Sequence, residues 1–239
     1  MCANLGSRDM ALGPDGAART AGPGRSAGNH RVGVFGGTFD PVHVGHLAVA
    51  VNVGHALGLD RVLLVVAREP WQKVGTRPIA PGEDRFALVE AALEGLEDRR
   101  LEASRLELDR PGPSYMADTL AELSRRHPGV ELFLIVGPEV ADDLATWERP
   151  DEVCRLATLV VVTRPGVALL QPPPPPWRSM VVEVPALHVS STELRARAAA
   201  GRPLDVLVPP GAVQEIRRRG LYAGCRDDRR WDDAGDGAG

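Results

Sequence analysis

Two histidines near residue 45 have a position that suits chemistry on a phosphate group. His43 and His46 follow the glycine pair Gly36 and Gly37, which ends a short apolar run. Adjacent glycines let the backbone approach a ligand closely and adopt positive φ. The helix predicted from His43 offers free N–H groups and its positive dipole end to an anion, and Gly45 leaves room for that anion. Because the histidines are three residues apart, both imidazoles project from one side of the first turn toward a phosphoryl oxygen.

Other interpretations of this segment are weaker. The plain alternative is a glycine-rich turn followed by a helix that two histidines cap. Two histidines and three glycines within residues 36–46, directly after an apolar strand, favour phosphate chemistry over that alternative. The dinucleotide pattern G-x-G-x-x-G is absent because Gly33, Gly36 and Gly37 have the wrong spacing, and the phosphate-loop pattern G-x-x-x-x-G-K-[ST] is absent as well.

A second candidate phosphate site lies later in the chain, where Ser190, Ser191 and Thr192 precede Arg195. Ser190 and Glu193 have the spacing of a capping box, so a plain capped helix is one interpretation. The start of such a helix, with an arginine one turn later, also suits a polyphosphate, which a guanidinium can clamp with two hydrogen bonds. The two interpretations are compatible, because a capped N-terminus still offers its other N–H groups.

Further candidates follow predicted strands or open predicted helices. Ser114 is a candidate N-cap, and Thr119 is placed to bond locally. Lys73, the only lysine of the chain, lies in a polar loop after the second strand, where a lysine is usually solvated. Trp147 has the commoner interpretation of a core residue, and Glu139 that of a helix cap.

Strand-like and helix-like segments alternate through residues 30–223, which we assign to one domain. The predicted strands are 31–36, 62–67, 101–108, 131–136, 158–163 and 180–184, and the predicted helices are 43–57, 83–96, 114–127, 150–156, 191–200 and 210–219. This alternation predicts an α/β fold with a Rossmann-like, doubly wound parallel sheet and helices on both faces. Ligands of such sheets bind beyond the carboxyl ends of the strands, which is where the candidate residues fall.

The bulk composition limits the remaining classes. The 239 residues suffice for one domain, and a net charge of −4 gives no global basic field for nucleic acid. Cys2, Cys154 and Cys225 are far apart and odd in number, so they indicate neither a metal site nor a disulfide framework, which favours a reducing cytoplasm. No apolar run is long enough to span a bilayer. We expect disordered tails at 1–29 and 224–239 and an extended connector at the proline run 172–176.

The segment Gly36–His46, GGTFDPVHVGH, resembles the H-x-G-H signature of the nucleotidylyltransferase superfamily, and in its fuller form the bacterial nicotinate-nucleotide adenylyltransferases. Pro113–Leu120, Ser190–Arg195 and Leu207–Tyr222 resemble the same family, so the resemblance covers about residues 31–222. It implies adenylyl transfer from ATP to nicotinate mononucleotide in NAD biosynthesis. It also implies that Mg²⁺ bridges phosphate oxygens, with no metal held by the protein alone.

The resemblance implies a role for individual residues. The catalytic group comprises His43, His46, Lys73 and Arg195. The ATP site comprises Gly36, Gly37, Thr38, Phe39, Gly45, Ser190, Ser191 and Thr192. The pyridine-nucleotide site comprises Ser114, Tyr115, Thr119, Gly137, Glu139, Trp147 and Arg85. Trp147 would stack on the pyridine ring, and Arg85 would neutralise phosphate charge. Glu139 stands where the family has an aspartate, so its carboxylate reaches one methylene farther.

Two alternatives stay open at the level of sequence. The first is another adenylyltransferase of the superfamily, acting on the amidated pyridine nucleotide, pantetheine phosphate or a flavin mononucleotide. The segments around Tyr115 and Trp147 argue against the last two acceptors. The second is a non-catalytic nucleotide-binding protein of this fold, which only the change at Glu139 favours. The expected partners are small molecules, with a homo-oligomer possible and with neither nucleic acid nor membrane.

Overall fold

A six-stranded parallel sheet forms the centre of the protein. The computed structural model describes residues 30–70, 78–165 and 175–223. The strands are β1 (Arg31–Gly37), β2 (Arg61–Val66), β3 (Leu101–Ser104), β4 (Glu131–Val136), β5 (Ala157–Thr163) and β6 (Ser179–Glu183). Their order is β3-β2-β1-β4-β5-β6, and every neighbouring pair is parallel. This doubly wound arrangement confirms the predicted Rossmann-like fold.

Helices cover both faces of the sheet. They are α1 (Val44–Ala56), α2 (Gly82–Glu94), α3 (Met116–Arg126), α4 (Pro138–Asp142), α5 (Pro150–Leu156), α6 (Ser191–Ala199) and α7 (Pro210–Arg219), with a short 3₁₀ turn at Leu144–Thr146. Alternate strand residues point to opposite faces, so Leu64 and Val66 of β2 join one core cluster while Val65 joins the other. The first cluster packs against α1, α2, α6 and α7, and the second packs against α3 and α5.

Three sequence predictions differ from the structure beyond a shift of one or two residues at an end. The strand predicted for 101–108 ends at Ser104, because Leu106 and Leu108 are buried in the turns that follow it and prolong the apolar pattern. Ser114 is not the N-cap of α3. Tyr115 occupies that position, and the Ser114 hydroxyl accepts hydrogen bonds from a neighbouring loop instead. Helix α4 was not predicted.

Some sequence predictions concern residues that the structure does not describe. The expected tails at 1–29 and 224–239 and residues 172–174 of the proline run lie beyond the described residues. No helix within the described ranges is long and apolar enough to cross a membrane. Because all six strands are parallel, their carboxyl ends meet at one edge of the sheet. The functional site is therefore sought at that edge.

Candidate active site

A cavity of about 900 Å³ opens at the carboxyl edge of the sheet, within the size range of ligand pockets. Side chains reach it from the turn after β1, the first turn of α1, the start of α3, the segment after β4 and the start of α6. The predicted site residues that line it are Gly36, Gly37, Thr38, Phe39, His43, Gly45, His46, Ser114, Tyr115, Gly137, Glu139, Trp147, Ser190, Ser191, Thr192 and Arg195. The fold thus brings most of the predicted site into one chamber.

The His46 imidazole is held in one orientation by its neighbours. Its Nδ1 accepts a 3.2 Å hydrogen bond from the backbone N–H of His43. An Nδ1 that accepts must be unprotonated, so the ring proton lies on Nε2. The ring packs edge-on against Phe39, with centroids 5.0 Å apart, and stacks on the His43 ring at 3.7 Å. His46 is therefore a fixed hydrogen-bond donor.

His43 caps α1 and is buried beneath its neighbour. The residue is 7% exposed, and its Nδ1 has no hydrogen-bond partner among the described residues. Burial lowers the pKa of His43 to about 4, so the imidazole is neutral at physiological pH. A Cβ on Gly45 would lie 3.0 Å from that Nδ1, so glycine is the residue that lets the ring occupy this place. His43 thus supplies a hydrogen-bonding group rather than a positive charge.

The turn between β1 and α1 is tightly packed. A Cβ on Gly36 would lie 2.6 Å from the Met116 side chain, and one on Gly37 would lie 2.8 Å from the Phe39 ring. Phe39 has a left-handed φ of 48°, which is uncommon for a residue with a side chain. That backbone conformation places the aromatic ring against His46. The glycines and Phe39 therefore shape the wall on which the histidine pair rests.

The N-terminus of α6 faces the same cavity as that of α1. Ser190 is its N-cap, and its Oγ accepts from the Glu193 N–H at 3.2 Å, as the capping interpretation predicted. Ser191 Oγ donates to the Pro41 carbonyl at 2.9 Å, which ties α6 to the turn before α1. Arg195 donates to Thr192 Oγ1 at 3.1 Å. The Ser191 hydroxyl proton is thus used within the protein.

Asp40 is a site residue that the sequence predictions missed. It lines the cavity, is 1% exposed, and accepts a 2.8 Å hydrogen bond from the Tyr222 hydroxyl. Its backbone carbonyl accepts from Arg195 Nη1 at 2.7 Å, and its Oδ2 lies 3.9 Å from the same nitrogen. Asp40 was visible in the motif, but its partner Tyr222 lies 182 residues further along. No local spacing could have joined them.

The start of α3 and the segment after β4 also line the cavity. Ser114 Oγ accepts from the backbone N–H of Arg68 at 2.9 Å, which anchors the approach to α3. The Glu139 side chain folds over Gly137, where a Cβ would lie 2.7 Å from the carboxylate carbon. The Trp147 ring is half-buried, and its Nε1 has no hydrogen-bond partner among the described residues. This part of the cavity presents an aromatic surface beside a carboxylate.

Known proteins are similar in sequence to this chain over most of its length. A family profile described as cytidylyltransferase-like matches residues 34–197. A probable nicotinate-nucleotide adenylyltransferase of Corynebacterium kroppenstedtii is 46% identical over 194 residues, covering 80% of this chain and 90% of that protein. A protein of the same name in Thermus thermophilus is 45% identical over 192 residues, covering 80% of this chain and 99% of that protein. The chain belongs to the cytidylyltransferase-like family and, within it, to the nicotinate-nucleotide adenylyltransferases.

Solved structures of adenylyltransferases share the fold. The Plasmodium falciparum nicotinic acid mononucleotide adenylyltransferase complexed with NaAD matches with a TM-score of 0.67 at 16% identity, over 81% of this chain and 98% of that one. The same enzyme complexed with APC matches with a TM-score of 0.65 at 15% identity and equal coverage. At such identities the likeness concerns the backbone, which is the doubly wound sheet described above.

In this member of the nicotinate-nucleotide adenylyltransferase family, the structure corrects the prediction that Arg85 meets a substrate. Arg85 is 1% exposed and does not line the cavity. Its guanidinium donates to the carbonyls of Ala80 and Thr38 at 2.8 Å and to that of Arg68 at 3.3 Å. The side chain lies on the buried face of α2 and contacts the turn after β1 at the Thr38 carbonyl. The structure therefore places Arg85 behind the described wall of the cavity.

Thr119 is likewise behind the wall of the cavity and not part of it. It is fully buried, and its hydroxyl donates a 2.7 Å hydrogen bond to Glu107 Oε1. Glu107 does line the cavity and is 4% exposed, although the sequence predictions missed it because it fell inside the strand predicted for 101–108. Arg110 Nη2 donates to Thr119 Oγ1 at 3.2 Å, completing a short relay. Thr119 thus positions a carboxylate.

One predicted catalytic residue cannot be placed. Lys73 lies in residues 71–77, outside the described part of the chain. The described residues on either side, Pro70 and Pro78, bound this segment just beyond β2, and Pro70 lines the cavity. The role of Lys73 stays a prediction from the family resemblance.

Proposed function

We propose that this enzyme transfers the adenylyl group of ATP to nicotinate mononucleotide, producing nicotinate adenine dinucleotide and pyrophosphate in the cytoplasmic synthesis of NAD. The observation that carries the proposal is the convergence of two helix N-termini, those of α1 and α6, on one cavity. Each terminus offers backbone N–H groups and a positive dipole end to an anion. Two such termini that line one cavity suit the polyphosphate of ATP.

The reaction needs alignment and charge neutralisation more than covalent chemistry. An oxygen of the mononucleotide phosphate forms a bond to the α-phosphorus, while the bond from that phosphorus to the departing pyrophosphate breaks. His46 Nε2–H donates to oxygens around the α-phosphorus, and His43 orients the His46 ring through its backbone N–H and by stacking. Arg195 and the N-terminus of α6 receive the β- and γ-phosphates. Lys73 adds charge to the same groups, as the resemblance implies.

The acceptor occupies the end of the cavity formed by Tyr115, Gly137 and Trp147. The half-buried indole provides a flat surface for the pyridine ring. Glu139, longer than the family's aspartate, folds back over Gly137, which shortens its reach into the cavity. In this proposal its carboxylate accepts from a ribose hydroxyl.

A divalent cation accompanies ATP in this proposal, and we assign Mg²⁺ to that place. Within the described residues, no group of three His, Cys, Asp or Glu side chains could hold a metal ion. Mg²⁺ keeps several waters and is commonly held by substrate phosphates with few protein ligands. In this proposal the cation enters as part of the nucleotide substrate.

The test is a pyrophosphate-release assay with Mg-ATP and either nicotinate mononucleotide or its amide. We expect release with the acid, and a turnover that falls at least about a hundredfold in His43→Ala and His46→Ala. The exposed His127, far from the motif in sequence, gives the matched control His127→Ala, which should keep wild-type turnover. Faster release with the amide would reassign the acceptor. Binding of ATP without release from either acceptor would favour a non-catalytic protein.

A further inference from the structure

The closing segment of the chain reaches the α1–α6 side of the cavity through one side chain, Tyr222. Helix α7 ends at Arg219, and both Gly220 and Tyr222 adopt left-handed backbone conformations, with φ of 64° and 60°. This conformation is ordinary for glycine but costs free energy for a residue with a side chain. The reversal brings the Tyr222 hydroxyl to Asp40 Oδ1, to which it donates a 2.8 Å hydrogen bond. A strained backbone thus delivers a polar group to the site.

Asp40 is a buried carboxylate with a donor on one oxygen and a cation near the other. Tyr222 donates to Oδ1, while Oδ2 lies 3.9 Å from Nη1 of Arg195. The same Nη1 donates a 2.7 Å hydrogen bond to the Asp40 backbone carbonyl. A buried carboxylate needs hydrogen bonds or cations to balance the loss of water. Tyr222 and Arg195 share that task.

Arg195 faces a second anion as well. Its side chain is 17% exposed and lines the cavity, so in the proposed function it meets the phosphates of ATP. A guanidinium near two anions divides its attraction between them. The more fully Tyr222 satisfies the carboxylate, the less strongly Asp40 holds the guanidinium. Burial, together with the neighbouring charge of Asp40, raises the pKa of Tyr222, so the phenol stays protonated and keeps donating.

We propose that Tyr222 is a positioning residue whose hydrogen bond to Asp40 keeps Arg195 available to the phosphate groups of ATP. The proposal rests on the proposed function, because it requires a polyphosphate in the cavity. It also gives the closing segment a task beyond packing, since only the hydroxyl of Tyr222, and not its ring, acts on Asp40.

The decisive variant is Tyr222→Phe in the full chain, which removes the hydroxyl and keeps the ring. We expect the Kd of Mg-ATP, measured by calorimetry without the mononucleotide, to rise about fivefold, as for loss of a typical intramolecular hydrogen bond. The KM of ATP should rise in parallel, while the KM of the mononucleotide keeps its wild-type value. A merely structural defect would alter both substrates together.

Two double variants test the route through Asp40 and Arg195. In the Asp40→Asn background the carboxylate charge is gone, so adding Tyr222→Phe should leave the Kd of Mg-ATP unchanged. In the Arg195→Gln background, adding Tyr222→Phe should again leave the Kd of Mg-ATP unchanged. If Asp40→Asn does not fold, this comparison alone tests the positioning role. Val153→Ala is the stability control, because Val153 packs in the second core cluster and does not line the cavity.

The outcomes separate this proposal from the proposed function. Wild-type ATP affinity in Tyr222→Phe would overturn the positioning role. So would a fivefold loss that persists in both double variants, or an equal loss in Val153→Ala at a matched decrease in Tm. A wild-type chain that binds no Mg-ATP and releases no pyrophosphate would instead contradict the proposed function, and the positioning role would fall with it.

Discussion

His43 makes the stability of the fold depend on pH within a window that its burial defines. Burial lowers the pKa of its imidazole from 6.5 to about 4. In the unfolded chain the ring binds a proton below about pH 6.5, whereas the folded protein accepts that proton only near pH 4. Unfolding within this window therefore takes up a proton, and the free energy of unfolding decreases as the pH falls.

The magnitude follows from the two pKa values. At roughly 1.4 kcal/mol for each tenfold change in proton affinity, the fall from 6.5 to about 4 amounts to about 3 kcal/mol. The contribution is fully present above pH 6.5, is lost between pH 6.5 and 4, and changes no further below pH 4. A loss of this size is a large part of the stability of an ordinary domain, which is about 5–15 kcal/mol.

The perturbation that isolates this effect is His43→Gln, which removes the titrating ring but keeps a polar side chain of similar length. Urea unfolding of the wild type and the variant at several pH values between 7.5 and 4 gives both free energies. We expect the variant to be less stable at pH 7.5 and the difference to shrink by about 3 kcal/mol toward pH 4. His127→Gln controls for the loss of a histidine as such. Parallel loss of stability in wild type and His43→Gln would refute the reasoning.

Three other substitutions test the remaining parts of the site. Gly45→Ala should reduce turnover about tenfold by displacing His43, because the new Cβ would lie 3.0 Å from His43 Nδ1. Thermal unfolding should show the stability of the protein unchanged or raised by up to about 1 kcal/mol. Wild-type turnover in this variant would show that the His43 ring has room to move. Arg85→Met should lower the free energy of unfolding, measured in urea, by about 3–5 kcal/mol, because it leaves buried carbonyls without their donor. Arg85→Lys should lower it by less. A stable Arg85→Met variant with weakened nucleotide binding would restore the hypothesis that Arg85 binds phosphate. Thr119→Val should lower the free energy of unfolding by about 1–3 kcal/mol and raise the KM of the mononucleotide, because it removes the hydrogen bond that holds Glu107. Thr119→Ser keeps the hydroxyl and should behave as wild type. An unchanged KM in Thr119→Val would mean that Glu107 does not contact the acceptor.

The sheet and its helices were predictable because each carries a local signal. Buried parallel strands are apolar on both faces, and β2 and β4 have that composition along nearly their whole length. The error at 101–108 shows the limit of this signal. Leu106 and Leu108 are as buried as strand residues, but the chain has already turned, and burial alone does not distinguish a strand from a packed turn.

The site was predictable only where its residues are close in sequence. His43 and His46 stand three residues apart, and Ser191 and Arg195 four apart, so about one turn of helix relates the members of each pair. Arg85 could not be assigned in this way. Whether an arginine in a helix meets a phosphate or a buried carbonyl depends on which face of the helix packs against the core, and its own neighbours on α2 do not decide that.

The charges of the site explain why the two histidines cannot carry the reaction alone. His43 is neutral, and Arg85 is occupied by backbone carbonyls, so neither adds a free positive charge to the described wall of the cavity. Each helix N-terminus contributes about half a charge, so α1 and α6 together supply about as much as Arg195 alone. Arg164 also lines the described wall, so Arg195 provides about a third of the positive charge that this wall offers to the phosphates. If Arg195 meets the phosphates as proposed, a group that contacts Arg195, as Asp40 does, also influences nucleotide binding.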